Sequence, residues 1–166
     1  MARLPLTTRM VMKLDVYCVR WTGGSFFMWL FSRRAGLHKD PDYRTRKARA
    51  LVMVTRGRRT GQARSVVLPY FSFDGTTFVV GSKGGAAEDP DWVGNLRAAP
   101  RATVYVERLP RTIDARLATA EERARLWPQL VAAAPTYGEY QKGTGREIPL
   151  VILQGLRQAG LPPGAD

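Results

Sequence analysis

The chain has 166 residues, 45% of them hydrophobic, with one cysteine, one histidine and a formal charge of +12. That length suits one ordinary domain with a sizeable core; the lone Cys18 excludes an intramolecular disulfide or a paired-thiol metal site, and the lone His38 excludes a histidine pair for zinc. The charge calls for a polyanionic partner, and it is concentrated, with eleven Lys or Arg against two Asp between Arg33 and Arg64.

At the N-terminal end, Met10, Val11, Leu14, Tyr17, Cys18 and Trp21 recur at helical spacing opposite Lys13, Asp15 and Arg20, and Gly23 and Gly24 supply a stop. An amphipathic helix is expected there. The run FFMWLF, residues 26–31, is far shorter than the roughly 20 residues of a spanning helix. Its aromatic face, followed by Arg33 and Arg34, suits packing on the domain body, the favoured reading, or a peripheral contact with a bilayer, for which residues 10–34 are the candidate part. No secretory signal is read at the N-terminus. HKDPDYRTRK, residues 38–47, is polar and aperiodic and reads as an exposed connection.

From residue 50 the pattern turns strand-like. ALVMVT (50–55), SVVLPYFSF (65–73) and TTFVVGS (76–82) are three predicted strands, the last two joined at the Asp74-Gly75 turn signal. Asp89 is the expected N-cap of a short helix with Pro90 in its first position, and Pro100 ends it. Two further strands follow, ATVYVE (102–107) and RTIDARLAT (111–119), the second alternating through Ile113, Ala115 and Leu117. Thr119 and Glu122 have capping-box spacing at the head of a helix whose apolar stripe is Leu126, Trp127, Leu130, Val131 and Ala134. IPLVIL, residues 148–153, is a last buried strand. Antiparallel neighbours joined by short turns, with helices inserted between strand groups, predict a small barrel with helices packed outside it, an α+β fold. The expected organisation is 1–49 as helix and basic connection, 50–154 as the barrel domain and 155–166 as a tail.

Two loops carry the candidate chemistry. TRGRRTGQAR, residues 55–64, sets four arginines, two glycines and two threonines between strands. With Gly57 and Gly61 at positive φ, backbone N–H groups could converge on an anion while Arg58, Arg59 and Arg64 approach from the side; a solvated turn is the competing reading. It is neither a Walker loop nor a dinucleotide fingerprint, because the spacing differs and a strand follows it. GSKGGAAEDPDWVGNL, residues 81–96, places Ser82, Lys83 and Gly84 at a strand end and opens a helix whose first turn carries Trp92 and offers N–H groups to an anion.

Taken together, TRGRRTGQAR, LPY, DGTTFVVGSKGGAAEDPDWVGNLRAAPRATV and EERARLWPQLVAAAPTYGEYQKGTGREIPLVIL resemble the deazaflavin-dependent nitroreductase family, small coenzyme F420-dependent reductases, over residues 50–153. The resemblance implies an FMN-binding-like split β-barrel that binds coenzyme F420 and passes a hydride to a quinone, nitroaromatic or enone acceptor. By the same resemblance Arg58, Arg59, Thr60 and Arg64 hold the phosphate and glutamate tail; Val67, Ser82, Lys83 and Gly84 flank the deazaflavin; and Asp91, Trp92 and Asn95 form the helix start that closes over it. Ser82, Tyr137 and Tyr140 fall at the acceptor side, with Tyr137 also touching the cofactor. Such an enzyme needs no metal and no covalent nucleophile, and no nucleic-acid partner is expected. A cytoplasmic monomer or homodimer at the inner face of the membrane is the expected setting. The competing readings are an FMN-binding split-barrel oxidoreductase and a non-catalytic basic module for F420, nucleic acid or anionic lipid.

Overall fold

The computed structural model describes residues 50–156, with residue 107 excepted, so the predicted N-terminal helix, the run FFMWLF, the basic connection and the tail beyond residue 156 lie outside the described residues. Six strands form a closed barrel: β1 (Ala50–Arg56), β2 (Ala63–Phe73), β3 (Thr76–Val80), β4 (Arg101–Val106), β5 (Leu109–Leu117) and β6 (Leu150–Gln154), in the spatial order β1-β2-β3-β6-β5-β4. Every pairing is antiparallel, and β4 returns to β1 through Val52↔Tyr105 and Val54↔Thr103 to close the ring.

Alternation decides which side chains point inward. Leu51 and Met53 of β1, Leu68 of β2, Val79 of β3, Ala102 and Val104 of β4, Ile113 and Ala115 of β5, and Val151 and Leu153 of β6 form the barrel interior. A second core lies on the outer wall, where Phe78, Val80, Leu150 and Ile152 meet Leu126 and Leu130 of helix α2 (Ala120–Ala133), with Phe71, Phe73, Trp127, Tyr137 and Tyr140 packed around them. Leu126 and Leu130 are fully buried, so truncating either to alanine costs about 2–5 kcal/mol. The predicted capping box is present: the Thr119 hydroxyl accepts from the Glu122 backbone N–H, and the Glu122 carboxylate accepts from the Thr119 backbone N–H.

Because adjacent strands run in opposite directions, the β1–β2 turn, both helical insertions and the start of β6 all fall at one end of the barrel. Helix α1 (Asp91–Ala98) closes that end, sending Trp92, Val93 and Leu96 into the interior core. The expected α+β barrel is therefore the observed one, with local differences. Helix α1 is capped by Pro90 rather than Asp89, whose carboxylate instead bridges Arg97 and Arg146. A helix absent from the sequence reading, α3 (Thr136–Lys142), follows α2 after Pro135, which stands at its N-cap. β6 starts two residues later than predicted, because Pro149 lacks the N–H that a ladder position needs.

Candidate active site at the helical end of the barrel

The cationic turn is the first wall of the site. β1 and β2 extend further into it than predicted, leaving residues 57–62 as the turn proper. Gly61 has φ +69, as a left-handed position requires, whereas Gly57 is needed for space: a Cβ there would stand 3.1 Å from the Gln62 carbonyl oxygen. The converging N–H groups expected from the glycines are already engaged. Gly57 donates to the Gln62 carbonyl at 2.8 Å, Gly61 to the Gly57 carbonyl at 2.7 Å, Gln62 to the Thr60 hydroxyl at 3.4 Å, and Arg58 to Asn95 Oδ1 at 3.1 Å. The N–H groups of Arg59 and Thr60 make no hydrogen bond with a described residue, so anion binding here falls to those two and to side chains.

Those side chains divide into two sets. Arg58 is committed to α1, with Nη1 donating to the Asp91 carbonyl at 3.0 Å and Nη2 to Asp91 Oδ1 at 3.1 Å. Only glycine at position 94 leaves room for it, since a Cβ there would fall 2.8 Å from Arg58 Nη1. Beneath it, buried Asn95 donates to the Thr55 hydroxyl at 3.1 Å, and that hydroxyl donates to the Arg64 carbonyl at 3.4 Å. Arg64 bonds only the neutral Thr60 and Gln62 side chains, and Arg56 and Arg59 make no ion pair with a described residue. The turn and the strand ends beside it thus carry four guanidinium groups, with one carboxylate partner, Asp91, among the described residues. Among the described residues this positive charge is largely uncompensated, and it is exposed.

The second wall is the loop after β3. Gly81 sits so close to Pro149 that a Cβ would approach its ring to 2.7 Å, and its N–H donates to the Pro149 carbonyl at 2.9 Å. A single 3-10 turn follows, Lys83–Gly85, in which Lys83 (φ 48), Gly84 (φ 66) and Gly85 (φ 80) are all left-handed. The Ser82 hydroxyl makes no hydrogen bond with a described residue, and Lys83 is exposed, with Glu88 at 3.8 Å as its acidic neighbour. Gly85 lies against Tyr140 of α3, where a Cβ would meet the Tyr140 backbone at 3.3 Å. Tyr140 stands edge-on to Tyr137 at 6.1 Å between centroids, and Tyr137 edge-on to Phe71 at 5.7 Å. A half-buried aromatic wall therefore adjoins the loop that carries Ser82 and Lys83.

The structure separates the sequence-predicted residues into those that face solvent at this end and those that do not. Arg59, Thr60, Arg64, Lys83 and Gly84 are exposed, and Ser82, Tyr137 and Tyr140 are partly so. Arg58 and Asp91 pair with each other. Trp92 and Asn95 are buried, at 7% and 4% exposure, the first as a core aromatic and the second as the link between α1 and the turn. Val67 points to the outer wall of β2, opposite Val52, because its neighbours Val66 and Leu68 face the interior. Sequence reasoning gave no role to Arg146, whose guanidinium gathers four acceptors of the second loop, or to Arg123. Arg123 donates to the Ile148 carbonyl and Gln141, pairs with Glu147 at 3.0 Å and lies 4.2 Å over the Trp127 ring. Burial depresses the affinity of the Arg123 guanidinium for its proton, and Glu147 opposes that effect. Their signal, one arginine in the first turn of α2 and one in the polar stretch after α3, is indistinguishable in sequence from solvated charge.

No group of acidic, histidine or cysteine side chains able to hold a metal ion occurs among the described residues, and no helix among them is long and apolar enough to cross a membrane. A family profile described as F420H(2)-dependent quinone reductase matches residues 32–155. The F420H(2)-dependent quinone reductase Rv1261c of Mycobacterium tuberculosis is 35% identical over 108 residues, spanning 63% of this chain and 72% of that protein. Among solved structures, the F420-H2 dependent reductase FDR-A aligns with a TM-score of 0.56 at 34% identity, over 63% of this chain and 93% of its own. A second structure, described as a domain-swapped dimer, aligns with a TM-score of 0.58 at 28% identity, over 78% of this chain and all of its own. With the barrel, the cationic turn and the matched residues in agreement, the chain belongs to the F420H(2)-dependent quinone reductase family, oxidoreductases whose cofactor is coenzyme F420.

Proposed function

We propose that the helical end of the barrel is where this F420H(2)-dependent quinone reductase carries out its reaction, with the turn 57–62 on the tail side of the cofactor and the Ser82–Tyr140 wall on the acceptor side. The observation that carries this reading is the pairing, at one barrel end, of a guanidinium cluster that has a single acidic partner among the described residues with a loop bounded by half-buried tyrosines. The donor set fits the group. Arg56, Arg59 and Arg64 offer exposed forks for phosphate and carboxylate oxygens, and Thr60 adds a hydroxyl. Arg58 serves indirectly, as the strap that keeps the turn seated on α1.

When bound, reduced coenzyme F420 supplies a hydride from C5 of its deazaflavin; the quinone gains that hydride and one proton to become the quinol. The chain's residues position and polarise. Ser82, its hydroxyl without a described partner, donates to the acceptor oxygen as negative charge develops there. Lys83 adds positive charge on the cofactor side, and Tyr137 and Tyr140 with Phe71, packed edge to face, give an aromatic wall that borders the acceptor and excludes water. Nitroaromatics and enones share the electron-poor plane of a quinone, and we extend the acceptor range to them. We also assign a homodimer, supported by the similarity to a protein described as a domain-swapped dimer. Residues 10–34 are assigned the peripheral contact that would bring a lipid-dissolved quinone within reach.

The test is a titration with coenzyme F420 followed by tryptophan quenching, then menadione reduction by F420H2. Micromolar binding with turnover supports the reading; binding of FMN in place of F420, or binding without turnover, sinks it. Light scattering on the eluted protein checks the dimer. Cosedimentation with anionic vesicles, lost on deleting residues 1–34, checks the membrane contact.

A further inference from the structure

The loop 81–89 holds three consecutive residues in the left-handed region, one of them a lysine, and its own backbone gives it little support. Its internal hydrogen bonds are Gly85 N–H to the Ser82 carbonyl at 3.0 Å and Ala86 N–H to the Lys83 carbonyl at a long 3.4 Å. The Lys83–Glu88 contact is exposed and 3.8 Å long, so it fixes little. From outside the loop, the Pro149 carbonyl accepts from the Gly81 N–H at 2.9 Å and the Thr144 hydroxyl donates to the Ala86 carbonyl at a long 3.5 Å; the largest set of contacts comes from Arg146, in the segment between α3 and β6. Its Nη2 donates to the Gly81 carbonyl at 3.0 Å and the Ser82 carbonyl at 2.8 Å, its Nε to the Ala86 carbonyl at 2.9 Å, and its Nη1 to Asp89 Oδ1 at 2.8 Å. The side chain is 15% exposed, and the other oxygen of Asp89 is taken by Arg97 of α1 at 2.8 Å.

We propose that Arg146 is a positioning residue: its planar fork fixes the Ser82–Gly85 loop in its left-handed path, and so sets where the Ser82 hydroxyl and the Lys83 ammonium stand relative to the bound rings. The proposal rests on the assignment of Ser82 and Lys83 to the cofactor and acceptor. A guanidinium suits this arrangement because three nitrogens share the four acceptors, Nε and Nη1 taking one each and Nη2 two, whereas a lysine ammonium presents a single nitrogen with three donors. Asp89 extends the same clasp through Arg97 to α1, the helix to which Arg58 straps the cationic turn. One helix therefore registers both walls of the site.

Arg146→Lys and Arg146→Ala are compared with the parent in F420H2-dependent menadione reduction, with kcat and KM separated and melting temperature recorded. Misplacement of the loop by about 1 Å predicts a roughly 10- to 100-fold loss in kcat for both variants at temperatures where each is folded. Millimolar guanidinium, far below denaturing levels, is expected to restore part of the Arg146→Ala activity and none of that lost in Lys83→Ala. Folded Arg146→Lys with parental kcat and KM would overturn the proposal. So would an Arg146→Ala loss that guanidinium leaves untouched. If Arg146→Ala does not fold, the lysine variant decides. Absence of turnover in the parent would instead sink the functional reading on which the proposal stands.

Discussion

Asn95→Ala tests the link between α1 and the cationic turn. Asn95 is 4% exposed and its amide joins two elements: Oδ1 accepts from the Arg58 backbone N–H, and Nδ2 donates to the Thr55 hydroxyl, itself 2% exposed. Truncation leaves the Arg58 N–H without its acceptor and the Thr55 oxygen without its donor. A buried group left unsatisfied costs about 1–3 kcal/mol, and because the Arg58 N–H is nearer solvent, the pair should sum to roughly 2–4 kcal/mol. For a chain of this length that lowers the melting temperature by roughly 5–15 °C. Circular dichroism melts of Asn95→Ala, Thr55→Val and the double variant form the cycle. The double variant should lose less than the sum, with a coupling of at least about 0.5 kcal/mol, because each single variant orphans a partner that the double variant removes. An additive cycle, or a single variant that melts within a degree of the parent, would refute the account of Asn95 as a buried structural link.

Other outcomes follow from the same geometry. Lys83→Ala should weaken coenzyme F420 binding about tenfold while leaving bound-state turnover near the parent value, read by tryptophan quenching and saturating kinetics; equal affinity in the two proteins removes Lys83 from the cofactor. Tyr137→Phe should slow menadione reduction, and unchanged kinetics would make its role one of packing against Phe71 and Tyr140. Gly94→Ala pushes the Arg58 guanidinium off α1, so the fold should persist while coenzyme affinity falls several-fold; a parental dissociation constant would show that the strap has no bearing on binding. The Arg116 guanidinium, aided by the Thr119 backbone N–H, holds the Glu122 carboxyl at about 2, below its ordinary 4.5. A lowered folded value stabilises above the unfolded one, so this contribution is complete above about pH 4.5 and disappears as pH falls through 2. Partial exposure of the pair limits it to about 1–2 kcal/mol. Glu122→Gln should therefore melt lower than the parent at pH 6 and converge with it near pH 2, and a gap that persists at pH 2 would contradict the sign.

The sequence by itself determined what is local. ALVMV and TTFVV are short apolar runs rich in β-branched residues and bounded by turn signals, which reads as buried strand; Asp74-Gly75 is a local turn signal, and Thr119 with Glu122 can cap a helix without outside help. The cationic character of the turn was also legible, since four arginines in ten residues remain charged in any fold. What only the tertiary structure decided depends on residues far apart in the chain. Closure of β4 on β1 and of β3 on β6 joins segments that no short turn connects. The Arg58 N–H found its acceptor on Asn95, 37 residues away, and the Arg58 guanidinium met the same helix, which is why Arg58 is a strap. Trp92 entered the core because α1 closes the barrel end, and Arg146 met the loop after β3 because α3 and β6 return it to a segment 57–65 residues earlier. Charge and periodicity belong to a residue and its neighbours; the partner that satisfies a hydrogen bond is chosen only when the chain closes.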